Sequence, residues 1–559
     1  MKYPQPASLL AATCLLAAAA APLQAEIKLP AIFGDHMVLQ EDQNLPLWGK
    51  ADPGDEITVT AGTESAKATA DATGKWMVKL EPLPLNATPI TVRITDKAHS
   101  ITLNDVLVGE VWICSGQSNM AFILGGAHNS KVALPEAHDS KLRFFRVAKK
   151  SSLDPSDDVT GKWELCTPET ARDFSAVGYF FAKDIRQDLH KPVGLIGSYW
   201  GGSPAQAWTS ISGLQKRPEL KHYVADVEKT RADFSKATAA YPAAVAKYQT
   251  QVDAWTKSPD GTAYTAAYKA WRDVNNKAKE AGQDSMRAPG TPKSKPKPPV
   301  EPDGGYKSPV VVYNGMIAPL IPYAIKGVIW YQGEENGHKG YEYRALFPNM
   351  ISDWREKWGQ GDFPFIFVQL PNYNESVMQV WPFLREAQAM TLSLPNTGMA
   401  TGIDVGDPKN IHPQDKVDIG HRVALVARHV AYNEQLVYTG PTYGSMKIEG
   451  NSIHVTYTTK GSDLVIGKAP WVAPGAQPRP TDKLLGFTIT GDDKKWAPAN
   501  ATISGDEVIV SSPQVPKPVA VRYNWANAPE GNLYNKAGLP AFPFRSDNWS
   551  DPAAGIGQP

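Results

Sequence analysis

Ser118 lies in residues 110–120, EVWICSGQSNM, where an apolar run stops abruptly in small polar residues. A serine held out at the mouth of a sheet is placed for acyl transfer. That chemistry needs a nucleophile, a base to take its proton, a group that orients the base, and donors for the developing oxyanion. Ser118 is the candidate nucleophile, because a short strand-to-helix turn exposes its hydroxyl. His412, in IHPQDK, is the candidate base, in a loop stiffened by Pro413 just ahead of a helical run. His338, in NGHKG, competes on position alone. The amides of Ser118 and Gly202 and the side-chain amide of Gln332 are candidate oxyanion donors, each worth roughly 2.7–4 kcal/mol of transition-state stabilisation. The plain alternative is that Gly201 and Gly202 only permit a tight turn and Gln332 only braces a loop. The serine is not in a G-x-S-x-G elbow, since Met120 stands where that pattern has glycine. Gln117, Asn119, Trp200, Glu334 and Asn336 are the candidates for holding substrate. Glu334 and Glu335 are adjacent, which does not suit the pair of acids flanking a bond in a glycosidase, so they read as loop-bracing or hydroxyl-binding groups. Trp330 and Trp381 offer further stacking rings, with core packing the better reading for Trp330.

The elements that must position these groups are continuous apolar runs: VLVGEVWIC, VGLIG, GVIWY, FIFVQL and MATGIDV. Continuous runs suit parallel strands covered by helices on both faces. Helical candidates lie between or after them: SAVGYFFAKDIRQDL, YRALFPNMISDWREKW, PFLREAQAMTL and PQDKVDIGHRVALVARHVAY. The middle of the chain is therefore expected to be an α/β, doubly wound parallel-sheet sandwich, with ligand bound beyond the carboxyl ends of the strands. Each such end carries polar or glycine-rich sequence. Short alternating runs separated by turns mark β-rich modules at both ends of the chain. An Ala/Lys-rich stretch with spaced aromatics, closed by PGTPKSKPKPPVEPDGG, predicts a helical insertion on an extended tether.

At 559 residues the chain exceeds one ordinary core. Fifty-seven basic residues balance 57 acidic ones, which removes the electrostatic case for nucleic acid or an anionic membrane surface. Sixteen Trp and 21 Tyr suit sugar faces as well as cores. Lys2, an apolar run over residues 9–21 and PLQA predict a signal peptide cleaved after Ala25, and hence export to the periplasm or beyond. Cys14 lies in that leader. Cys114 and Cys166 permit one disulfide without establishing it, and neither has metal spacing.

GEVWICSGQSNM, GSYWGGSPAQAW, YNGMIAPL, GVIWYQGEEN and IHPQDK, in that order, together with the leading LPAIFGDHMVLQ, resemble the sialate O-acetylesterase family of SGNH-type carbohydrate esterases. The resemblance covers residues 28–432 apart from the insertion. It implies an SGNH-hydrolase-like fold and a serine esterase that removes O-acetyl groups from sugars with no metal or cofactor. It matches Ser118 to the nucleophile, His412 to the base, and Gly202 and Gln332 to the oxyanion blocks. The acid departs from the pattern: many such enzymes place aspartate three residues before the histidine, where this chain has Lys409. Asp404 is the favoured acid, Asp407 the alternative, and a dyad oriented by a backbone carbonyl a third option; Asp415 reads as a helix cap. The expected organisation is a signal peptide (1–25), an N-terminal β-rich domain (26–105), a hydrolase domain in two parts (106–214 and 307–433) around the insertion (215–306), and a C-terminal β-rich domain (434–559). The expected partner is an acetylated carbohydrate, with no nucleic acid, no membrane insertion and an open oligomeric state. Acetylated sialic acid and acetylated plant-wall oligosaccharides (xylan, xyloglucan) are alternative substrates. A glycan-binding protein without turnover is the rival from another class.

Overall fold

The computed structural model describes residues 26–280, 289–374, 380–467 and 482–550. The expected signal peptide, with Cys14, lies outside the described residues. The N-terminal module contains strands β1 (Val38–Gln40), β2 (Leu45–Lys50), β3 (Glu56–Ala61), β4 (Glu64–Thr69), β5 (Lys75–Leu80) and β6 (Asn86–Thr95). Its alternation has a direct structural cause: in β5 the residues Trp76, Val78 and Leu80 point inward and are buried, while Lys75, Met77 and Lys79 point out.

β7 (Ser100–Gly116) joins this module to the central sheet. Its first half pairs antiparallel with β6 and parallel with β1. Its second half pairs in parallel with β10 (Val193–Tyr199) and β11 (Gly327–Tyr331). The central sheet is completed by β8 (Asp139–Arg146), β9 (Trp163–Cys166), β12 (Phe365–Gln369) and β13 (Thr397–Thr401), in the order β13-β12-β11-β7-β10-β8-β9. Every pairing along it is parallel except that of the edge strand β9. Helices Ala176–Leu189, Gly340–Trp358, Trp381–Met390 and Val417–Tyr432 cover it. The α/β sandwich expectation thus agrees with the structure, and the expected parallel strands gain a partner, β8, that the sequence reading omitted. Its centre, LRFF, is buried, but charged and polar residues on either side interrupt the apolar run.

The interior is aromatic. Trp330 is fully buried between Trp208, Phe347 and Trp354, and Trp381 is 4% exposed. Both are core residues, which removes them as sugar-stacking rings. Cys114 and Cys166 are free thiols and both buried. Residues 211–280 include the short helix Ile211–Gln215 and the long helices Lys221–Thr256 and Pro259–Glu280. The described residues between Thr442 and Arg545 again form antiparallel strands, with their own core around Ile453, Val510 and Tyr523. That module is clamped to the central one by Arg385, fully buried, which donates to the carbonyls of Ala526 and Asn527 at 2.7 and 2.8 Å. Among the described residues no helix is long and apolar enough to cross a membrane.

Candidate active site

Sheet register assembles the site. Gly116, Tyr199 and Tyr331 lie side by side at the ends of three adjacent parallel strands, so the loops after them rise from one place. Gly116 is required there: its φ is +130°, and a Cβ would stand 2.2 Å from the Tyr331 carbonyl oxygen. From residue 106 to 120 every residue is buried except Ser118. The chain turns at Gly116 and Gln117, presents one serine, and dives back through Asn119 and Met120.

The neighbour of Ser118 is Gly201, where an added Cβ would lie 3.3 Å from the Ser118 Cβ. Gly202, with φ of +74°, faces Tyr306 instead. Among the described residues the amides of Ser118, Gly201 and Gly202 donate to no protein acceptor, an uncommon state for three such groups near one another. Gln332 is arranged differently from the expectation. It is fully buried, its amide nitrogen donates to Ser203 O and to Asn336 Oδ1 (2.7 Å), and its oxygen accepts from Tyr343. Its donors are used up inside the fold, so they do not face a substrate.

The loop that carries His412 is tied to the serine turn through Asn119. The Asn119 amide nitrogen donates to the carbonyl of Ile411 at 2.9 Å and to the Glu334 carboxylate; its oxygen accepts from Lys416 at 2.7 Å. One side chain next to Ser118 therefore holds the residue before His412, the start of the Val417–Tyr432 helix and the loop after β11. The His412 amide donates to Asn410 Oδ1 at 3.0 Å, tightening the same loop. Burial, with Lys416 nearby, pushes the His412 imidazole down to about 4. The ring is thus neutral, the form a general base needs, at neutral pH. Burial also pushes Glu334 up to about 7, against the pull of Asn119 and Lys416. Lys416, fully buried, is pushed down to about 7 by the same desolvation, partly opposed by Glu334.

Among the described residues no carboxylate pairs with the His412 ring. Asp404 is committed elsewhere: Arg422 grips both its oxygens at 2.6 and 2.8 Å, and the Tyr534 hydroxyl donates at 3.0 Å. This corrects the expectation for Asp404, which locks the C-terminal β module to the Val417–Tyr432 helix. Asp407 accepts the Lys409 amide at 2.8 Å on Oδ1. Asp415 accepts the Asp418 amide at the start of that helix, and His338 is exposed on a short turn after β11.

Four of the expected substrate-binding residues are scaffolding. Gln117 is 3% exposed and accepts the amides of Gly333 and Glu335; Asn336 is 1% exposed and ties Gln332, Ala205 and Gln206 together. Asn119 is fully buried and Glu334 keeps one carboxylate oxygen buried with no partner. Trp200 is partly exposed and stacked on Tyr306, with ring centres 4.9 Å apart. Lys149 stands 5.9 Å from the Trp200 ring centre, and Lys307 pairs with Glu335 at 2.6 Å. Tyr306, Lys307 and Lys416 were not singled out from sequence, and Gly201 was read only as part of a tight turn. The first two lie at the return from the insertion, where nothing marks them. Lys416 is inside IHPQDK, and that placement was the available signal.

The chain is similar to known proteins. The profile of a carbohydrate esterase family, sialic acid-specific acetylesterase, matches residues 108–277 and 307–428, and a bacterial Ig domain profile matches residues 34–104. Sialate O-acetylesterase of Mus musculus is 29% identical, covering 91% of this chain and 92% of its own; that of Homo sapiens is 27% identical, covering 92% and 91%. A crystal structure of a carbohydrate acetylesterase from Xanthomonas citri is 34% identical with a TM-score of 0.74, covering 94% of this chain and 100% of its own. With its profile matched over more than half of the sequence and its serine, glycine and histidine blocks gathered at one end of the sheet, the chain belongs to the sialic acid-specific acetylesterase family of carbohydrate esterases.

Proposed function

We propose that this esterase removes O-acetyl groups from sugars through an acetyl-serine intermediate on Ser118, with His412 as general base and acid. The observation that carries the reading is that Ser118 alone is open in an otherwise buried run, bridged to the His412 loop by Asn119. Ser118 Oγ attacks the acetyl carbonyl carbon while His412 takes its proton. The tetrahedral oxyanion lies against the unused amides of Ser118, Gly201 and Gly202. His412 then gives the proton to the departing sugar oxygen. Water attacks the acetyl-serine, passing its proton to His412, and acetate leaves as Ser118 is reprotonated.

In this reading Asp404 anchors the helix, and Asp407 is the aspartate with a carboxylate oxygen available to the His412 loop. Trp200 and Tyr306 form the wall for the sugar ring. Lys149 beside that wall, and Lys307 where a sugar carboxylate displaces Glu335 from it, supply the positive charge that a sialic acid carboxylate requires, which favours a sialate over a neutral plant-wall sugar at the catalytic centre. We propose in addition that residues 1–25 are removed on export. Quenching the enzyme during turnover of an acetylated sialic acid and mapping peptides by mass tests the mechanism. An acetyl group on the Ser118 peptide is expected; acetate release with no acylated serine would overturn it.

A further inference from the structure

One cleft in the molecule lies away from Ser118. It has a volume of about 810 Å³ and lies between the N-terminal β module and the catalytic domain. Its floor is the outward face of the β2–β5 pair, where Trp48 and Met77 are direct cross-strand partners, followed by Lys50 opposite Lys75. Trp48 is half-buried and Met77 is 44% exposed, so an aromatic and a thioether surface meet solvent side by side. The facing wall is 156–158 with Ala318, Pro319 and Ile321 of the catalytic domain.

The walls hold still. β7 runs unbroken through both domains, Asp158 accepts the Ala31 amide at 3.0 Å, Trp163 donates to Ile32 O and Tyr323 to Val38 O, both at 2.7 Å. The cleft is therefore preformed, and its volume is within the range of roughly 300–1,000 Å³ usual for small-molecule sites. Its charges cancel: Lys28, Lys50 and Lys75 face Asp71, Asp157 and Asp158, with Lys50 and Asp157 paired at 2.8 Å across it. A net anion or cation gains little from such a rim.

We propose that this cleft is a second, non-catalytic site for a neutral oligosaccharide, in which a sugar ring lies on Trp48 and its hydroxyls meet the paired Lys and Asp groups of the rim. A ring face that is apolar and an edge that both donates and accepts match a pyranose, which has an apolar C–H face and a belt of hydroxyls. The proposal rests on the carbohydrate reading only for the class of ligand. It gives the enzyme a hold on a glycan chain apart from the acetylated residue being cleaved.

The test uses the full-length protein carrying Ser118→Ala, titrated calorimetrically with deacetylated xylohexaose and cellohexaose, and with sialyllactose as the charged comparator. A neutral hexasaccharide is expected to bind, and Trp48→Ala and Met77→Arg each to weaken that binding by about tenfold or more. With Ser118 intact, both variants are expected to hydrolyse a small aryl acetate within about twofold of the parent. Met77→Arg changes an exposed side chain and decides the matter should Trp48→Ala fail to fold. No binding of either neutral hexasaccharide, binding unchanged by both substitutions, or loss confined to sialyllactose would overturn the site, and none of these bears on whether Ser118 is the nucleophile.

Discussion

Replacing Lys416 with methionine tests how the buried network governs His412. The methionine keeps most of the volume between Phe122 and Tyr331, whose ring centres lie 5.0 and 5.4 Å from the lysine nitrogen. It removes the donor to Asn119 Oδ1, and an acceptor left unpaired costs about 1–3 kcal/mol. That loss is offset because a cation no longer has to be held without water, and Glu334, already raised to about 7, becomes a neutral acid. The larger effect is electrostatic. Lys416 charges as pH falls through about 7, so it opposes protonation of His412 across the acid range. Without it the imidazole holds its proton to higher pH, and since only the neutral ring is a base, the acid limb of kcat/KM must move upward. Burial, the larger cause, persists, so the limb travels only part of the way from about 4 towards the ordinary 6.5, by about one pH unit, or about 1.4 kcal/mol. The assay is kcat/KM for an aryl acetate from about pH 3.5 to pH 9, with thermal unfolding in parallel. An unmoved or lowered acid limb in a folded variant would refute the coupling, and a loss of roughly 10⁴-fold at pH 8 would make Lys416 part of the chemistry itself.

Asp407→Asn is expected to lower kcat by about 10²-fold or more at unchanged thermal stability. Asp404→Asn is expected to lower the unfolding temperature, because it weakens a buried bidentate pair to Arg422, with a smaller loss of kcat; the reverse pattern in paired kinetics and calorimetry would restore Asp404 as the acid. Lys307→Ala should raise KM for an acetylated sialic acid by about tenfold and leave an aryl acetate within about twofold, and equal effects on both would remove its role with the carboxylate. Gly116→Ala forces a Cβ against the Tyr331 carbonyl at a positive φ, so a stability loss on the order of 3 kcal/mol or more is expected by thermal denaturation.

The parallel sheet was legible because its strands are uninterrupted apolar runs, and the ends of those runs pointed to Ser118 and the glycine turn directly. β8 was not, since Lys141, Arg143 and Arg146 break its run, and Arg143 finds its partner in Asp105 from another strand. At the site, the serine and histidine are readable from local sequence, whereas the fate of an amide or carboxylate depends on what lies across the fold. Gln332 and Asn336 look like loop groups until Ser203, Gln206 and Tyr343 are seen to close around them. Asp404 looks like an acid until Arg422, 18 residues on in the following helix, and Tyr534, from another module, claim it. Lys416 carries no mark of burial in its local sequence, because its partner Asn119 is 297 residues distant.

The most direct measurement is acetate release from acetylated sialic acid by the full-length enzyme and by its Ser118→Ala variant, with folding checked by circular dichroism. The account predicts steady release by the parent and a loss of roughly 10⁴-fold or more in the variant. Release by a folded Ser118→Ala protein at a rate near that of the parent would contradict it.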